Sequence, residues 1–225
     1  MVVEKIMAIV FFALIAVFAW TIFKKVFKLM LAAVIIILLL LTANLFFIIR
    51  DVKDLNENFS VLEKKVILVD KDEFLTGFLQ NGRINPLTDD QIEEFSSYLK
   101  NREYKKILGD SYKLMIFDVD IVSDLDAEQI EFDGELIAKD KAISILKSDI
   151  DPREKADLFG VVLLEHILHS ENPLFFFSEF KKGNIIIYPE TAVSRTVKII
   201  PMSLVKNTGI KIFEKTREKA KTFVT

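Results

Sequence analysis

Residues 1–50, MVVEKIMAIVFFALIAVFAWTIFKKVFKLMLAAVIIILLLLTANLFFIIR, decide the architecture of this chain. Ile6 to Phe23 is an 18-residue run without a charge. As a helix it would be about 27 Å long, close to the roughly 30 Å of hydrocarbon in a bilayer. Leu29 to Ile49 is a second uncharged run, of 21 residues. Between them stand Lys24, Lys25 and Lys28. A single helix through both runs would carry three ammonium groups to the bilayer centre, at a cost of several kcal/mol each. The pattern therefore predicts an all-α two-helix transmembrane hairpin, with spans at about 6–23 and 29–49 and the lysines in the headgroup layer. Trp20, one turn before them, suits the interface.

Competing readings fit less well. A signal peptide would need a small-residue cleavage context and no second long span. An interfacial helix would need a polar face, and both runs are apolar all round. The polar residues inside the spans are Thr21, Thr42 and Asn44, none ionisable. A helix–helix contact is the expected use of Asn44, and an ion path is disfavoured. A hairpin places both termini on one side. Its three-lysine turn points to a cytoplasmic turn and an extracytoplasmic domain, although Lys5, Arg50, Lys53, Lys64 and Lys65 weigh on the other side.

Charge divides at the same boundary. Residues 1–50 hold five basic side chains and one acid, leaving 25 basic and 32 acidic residues in 51–225. An acidic domain lacks the phosphate-neutralising surface that nucleic acid requires. The absence of cysteine excludes disulfides, iron–sulfur clusters and thiolate zinc sites. The partners implied are the lipid bilayer and either a protein partner or further copies of the chain.

Residues 51–225 read as a soluble α+β domain. The segment 51–64 continues the second span as a stalk. Val66–Val69 suits a strand, Asp70–Leu79 looks helical, and Thr88 with Gln91 forms a reciprocal cap for a helix to about Lys100. Tyr112–Val122 is strand-like. Asp133-Gly134 between two short apolar runs is a two-residue hairpin signal. Asp140 caps a short helix, and Asp151-Pro152-Arg153-Glu154 starts another that runs to about His169. The Phe-rich stretch Leu174–Phe180, Asn184–Tyr188 and Arg195–Ile200 read as strands, and Ile210–Val224 as a terminal helix with a net basic face.

Candidate chemistry is sparse. Asp118 and Asp120, in Phe117-Asp118-Val119-Asp120 after an apolar run, resemble the aspartate-x-aspartate loop of haloacid-dehalogenase-type phosphatases over about ten residues. That resemblance makes Asp118 and Asp120 weak catalytic candidates. The glycine and threonine that should follow are replaced by Ile121 and Val122, so a strand carrying two acids is the preferred reading. His166 and His169 lie three apart after Glu165, whereas zinc on a helix prefers histidines four apart. They are weak metal candidates, and helix-surface histidines are the simpler account. Asp124, Asp126, Glu128 and Glu135 have calcium-loop spacing, but Gln129 stands where that loop needs glycine. Ser-x-x-Lys occurs at Ser97/Lys100, Ser144/Lys147, Ser178/Lys181 and Ser203/Lys206, too often to be specific. No cofactor is implied. The expected function is a membrane-anchored binding, scaffolding or assembly role. A membrane-tethered hydrolase and an oligomeric pore are the alternatives.

Overall fold

The computed structural model describes residues 2–59, 61–168, 172 and 174–203; before residue 22, side chains are described only at 15, 18 and 20. It divides into two compact units, Met1–Arg50 and Asp51–Thr225. The first helix, α1 (Val2–Asn58, 57 residues), belongs to both.

In the first unit α1 runs unbroken through Lys24–Lys28, where two helices and a turn are expected from the sequence. Among the described residues one candidate span is present, Ile22–Asn58, and none of its most apolar window is buried. The local reason for continuity is plain. Residues 1–50 contain neither glycine nor proline, and lysine is a good helix former. The lysines disfavour a straight helix only where a bilayer surrounds them. Thr42 Oγ1 donates to the Leu38 carbonyl (2.8 Å) and Asn44 Nδ2 to that of Leu40 (2.9 Å), so both polar groups are satisfied on their own helix. The Lys24 ammonium lies 5.2 Å from the centre of the Trp20 ring.

The second unit is a mixed α+β domain. Its described elements continue with β1 (Lys64–Asp70), β2 (Glu73–Gln80), β3 (Ile84–Pro86), α2 (Asp89–Lys100), α3 (Tyr104–Leu108) and β4 (Lys113–Asp118). Then come α4 (Asp120–Ser123), β5 (Gln129–Phe132), β6 (Glu135–Ala138), α5 (Lys139–Lys147) and α6 (Pro152–Val161). A π-helix (Val162–Leu168), α7 (Phe175–Lys182), β7 (Ile185–Tyr188) and α8 (Ala192–Ile199) complete it.

Five strands form one sheet in the order β3-β2-β1-β4-β7. β1 pairs with β4 in parallel, and the other pairings are antiparallel. Helices cover both faces, which explains why β1 and β4 read as continuous apolar runs. Val66, Leu68, Met115 and Phe117 pack toward α5, α6, the π-helix and α7. Ile67, Val69, Leu114 and Ile116 pack toward α2 and α3. Phe159 joins the first core through ring contacts with Phe78 (5.7 Å) and Phe117 (5.8 Å).

Several sequence expectations hold. The Thr88–Gln91 capping box is present, and Asp151 caps α6 with Pro152 in its first turn. Asp133 (φ 53°) and Gly134 (φ 78°) form the β5–β6 turn, the left-handed pair that such a hairpin demands.

Others are corrected. Asp70–Leu79 is not helical: the chain reverses at Lys71 (φ 60°) and returns as β2. Glu, Phe and Leu favour helix locally, but pairing with β1 overrides that preference. Leu174–Phe180 and Arg195–Ile200 are helical rather than extended. The second is fixed by a Thr191–Ser194 capping box, a signal weaker in sequence than its β-branched composition. β4 leaves the sheet at Asp118, so Ile121 and Val122 belong to a helical turn and not to the strand. The terminal helix expected at Ile210–Val224 lies outside the described residues.

Gly77 offers a clean test of the packing between β2 and its neighbours. A Cβ there would lie 2.8 Å from the Val66 carbonyl oxygen and 3.0 Å from Leu87 Cδ1. At Gly160 the conflict is with Ile84 Cδ1, the free end of a side chain. Gly77→Ala is expected to lower the opening free energy of β1 and β2 amides in hydrogen exchange by about 1–3 kcal/mol. Gly160→Ala should change it by less than about 1 kcal/mol, because helix propensity offsets the side-chain shift.

Candidate functional site

The two ends of the central sheet differ in character. At the carboxyl ends of the parallel strands β1 and β4 lies a small polar cleft of about 190 Å³, lined among others by Lys71, Asp72, Arg102, Tyr104, Asp118 and Asn184. This is the position at which open parallel sheets commonly bind ligands. Asp118 sits here because β4 delivers it to the strand end. Its Oδ2 accepts from the Lys71 amide (3.0 Å) and its Oδ1 from the Asp120 amide (3.0 Å). The carboxylate thus ties the β1–β2 turn to the start of α4. Asp120 is exposed. Asp70, at the end of β1, pairs with Lys147 at 2.7 Å. Hydrogen bonding to Asp70 raises the Lys147 pKa, with smaller contributions from Asp120 and Asp118.

The other sequence candidates are dispersed. His166 lies in the π-helix, part-buried, and its Nε2 has no hydrogen-bond partner among the described residues. His169 lies outside the described residues. Among the described residues no three acids or histidines are gathered as a metal site. Asp124 pairs with Lys182 (2.7 Å), which also pairs with the buried Glu179 (2.7 Å). Those two acids hold the Lys182 pKa above its ordinary value. Glu135 belongs to β6. Of the lysines in Ser-x-x-Lys pairs, Lys181 donates to the carbonyls of Val197, Lys198 and Ile200 at the end of α8. Lys206 lies outside the described residues.

The opposite end of the sheet carries the feature that sequence reading missed. A cavity of about 490 Å³ lies over the amino end of β4. Its floor is Met115 and Ile187. Its walls are Val52, Leu55, Asn56 and Phe59 from the end of α1, Phe176, Phe177 and Phe180 of α7, and Val193 and Val197 of α8. Its size falls within the range of small-molecule pockets, which are mostly apolar with a few placed polar groups. No local motif marks it, since its lining spans residues 52 to 197.

Two carboxylates build this end. Asp51 Oδ2 accepts from the amides of Ala192 (2.5 Å) and Val193 (3.4 Å), capping the N-terminus of α8. Asp54 Oδ2 accepts from the Tyr112 hydroxyl (2.5 Å), and its Oδ1 from Asn58 Nδ2 (2.8 Å). Next to Tyr112, Lys113 also lines the cavity and is only 4% exposed. Its ammonium lies 5.1 Å from the Tyr112 ring centre and donates weakly to the Pro189 carbonyl (3.4 Å). Burial lowers the Lys113 pKa, opposed by the charges of Asp54 and Asp51. Burial raises that of Tyr112, as do its hydrogen bond to Asp54 and the charges of Asp54 and Asp51.

Replacements at the two ends should separate their roles. Asp118→Asn keeps one good acceptor of two and is expected to cost about 1–2 kcal/mol in chemical denaturation, while Asp120→Asn should stay within about 0.5 kcal/mol. Tyr112→Phe should cost about 1.5–3 kcal/mol at neutral pH, because its bond to Asp54 is charge-assisted. The raised tyrosine pKa makes that contribution complete below its ordinary value of 10.0 and lost as pH rises beyond it. The lowered Lys113 acts oppositely, favouring folding as pH climbs toward 10.5. Tyr112→Phe is therefore expected to weaken the alkaline loss of stability, measured by denaturation across pH 8–11.

No family model, curated protein or solved structure matches this chain.

Proposed function

We propose that this chain is a membrane-anchored binding protein, in which the apolar part of α1 holds the domain Asp51–Thr225 at a bilayer and the domain engages a ligand or partner. The observation that carries this reading is the long apolar helix whose candidate span has no buried window. Leu29–Ile49, at about 32 Å as a helix, matches the hydrocarbon thickness of about 30 Å without a charge. Exposed to water, so large an apolar surface would drive aggregation.

A bilayer also favours the hairpin. As one helix, Val2–Arg50 measures about 74 Å, more than twice the hydrocarbon thickness. With Leu29–Ile49 embedded, Ile6–Phe23 would either stand in water or bend back into lipid. Reversal at Lys24–Lys28 sacrifices a few backbone hydrogen bonds, of about 1 kcal/mol each in water. It removes 18 mostly apolar residues from water, a gain several times larger. The hairpin places both termini on one side, and the lysine turn favours an extracytoplasmic domain.

The binding role draws support from the apolar cavity, which supplies a seat for a hydrophobic group. The hydrolase alternative would require Asp118 and Asp120 to act together, and their different surroundings lend it no support.

The chain contains no cysteine, so single cysteines can be placed without background. Variants with cysteine at Val2, Val26 or Thr225 in sealed vesicles should divide in labelling by a membrane-impermeant maleimide. Val2 and Thr225 are expected on one side and Val26 on the other. Val26 labelling from the same side as Val2 and opposite to Thr225 would establish one span. An intact mass lacking residues 1–50 would establish a cleaved signal, and release of the chain by alkaline carbonate would overturn anchoring.

A further inference from the structure

The apolar cavity suits an identifiable occupant. We propose that it takes one acyl chain of an uncharged or zwitterionic bilayer lipid, with an ester oxygen of that lipid accepting from the Lys113 ammonium. This deepens the binding role above and rests on it.

Three observations lead here. First, the lining is mostly aliphatic and aromatic, with Leu55, Met115, Phe180, Ile187, Val193 and Val197 among it. Such a wall stabilises a hydrocarbon chain by the area it removes from water. Phe59 and Phe177, also part of the lining, are partly exposed, leaving apolar surface where a chain could enter.

Second, the lining includes one cationic group, and that group is short of acceptors. An ammonium has three donors. The hydrogen bond that Lys113 makes among the described residues is the 3.4 Å contact to Pro189, at the weak limit for such a bond. A buried donor without an acceptor is costly, and a ligand oxygen would relieve it. The charge balance selects the kind of oxygen. Asp51 and Asp54 both act on Lys113 electrostatically, while their carboxylates accept from the start of α8 and from Tyr112 and Asn58. One cation already faces two nearby anions. A further carboxylate would add repulsion, and an ester carbonyl would not.

Third, the lining of the cavity begins next to the proposed span in the sequence. Val52, the first lining residue, follows Ile49 by three positions. At 1.5 Å per helical residue it lies about 4.5 Å beyond the end of the proposed span.

The test uses the full chain in phosphatidylcholine nanodiscs doped with a phosphatidylcholine that carries a diazirine on one acyl chain. Cross-links are mapped by mass spectrometry. Labelling is expected at Met115, Val193 and Phe177, and is expected to fall about tenfold in Met115→Trp and in Val197→Trp, which fill the cavity from opposite walls. Lys113→Met should reduce lipid labelling about fivefold, the loss of one hydrogen bond to a charged donor, and leave binding of the uncharged dye Nile red unchanged. Hydrogen exchange of β1 and β4 confirms that each variant is folded.

Labelling confined to residues 22–49, or unchanged in both tryptophan variants, overturns the inference. So does stronger capture of diazirine stearate than of its methyl ester, which would identify an anionic ligand. Wall labelling that appears only after removal of residues 204–225 also overturns it, because the chain's own tail would then be the occupant. Nile red bound in the cavity without lipid labelling leaves the binding role standing and removes only the lipid. If neither binds, the cavity loses its part in both.

Discussion

Two carboxylates, Asp51 and Asp54, tie the polar end of α1 to the rest of the domain at the end of the sheet where the cavity lies. Asp51 meets the first amides of α8, and Asp54 meets the hydroxyl of Tyr112 at the edge of β4. Each is a charge-assisted bond of the stronger class. They fix the end of the helix through polar bonds rather than through large apolar side chains. The aliphatic residues Val52 and Leu55 on the same helix then become wall instead of core. A tighter, wholly hydrophobic joint would have closed the gap.

The polar end of the sheet follows the opposite logic. There, three acids are matched within the protein: Asp118 by two amides, Asp70 by Lys147, Asp124 by Lys182. Ligand sites in open sheets usually occupy this end, but here its acids mostly stabilise turns. The apolar end keeps a group that is buried and only weakly bonded, Lys113.

Much of the architecture is legible in the sequence because it rests on strong, local or very long signals. A 21-residue uncharged run, the Asp133-Gly134 turn and the Thr88–Gln91 box each have few alternatives. What is not legible depends on contacts remote in sequence. Glu73–Gln80 has the composition of a helix and becomes a strand because β1 lies beside it. The β-branched run near Val197 becomes a helix because Thr191, Ser194 and Asp51 together satisfy its first amides. The acids at Asp118 and Asp120 stand out as a motif, yet the partners that define their work lie at residue 71 and in the backbone. The cavity had no chance of being read: its apolar residues look like any core, and only the packing of three separated helices leaves a space among them.

The contact from Asp51 to Ala192 has a temporal side as well. It joins groups 141 positions apart. During synthesis α1 emerges first and α8 emerges after every strand of the sheet has been made. Closing so long a loop has an entropic cost that only a formed sheet can offset. The cavity is therefore among the last parts of the domain to come into being. Until α8 docks, Val52 and Leu55 on α1 lack the cover that Val193 and Val197 later provide.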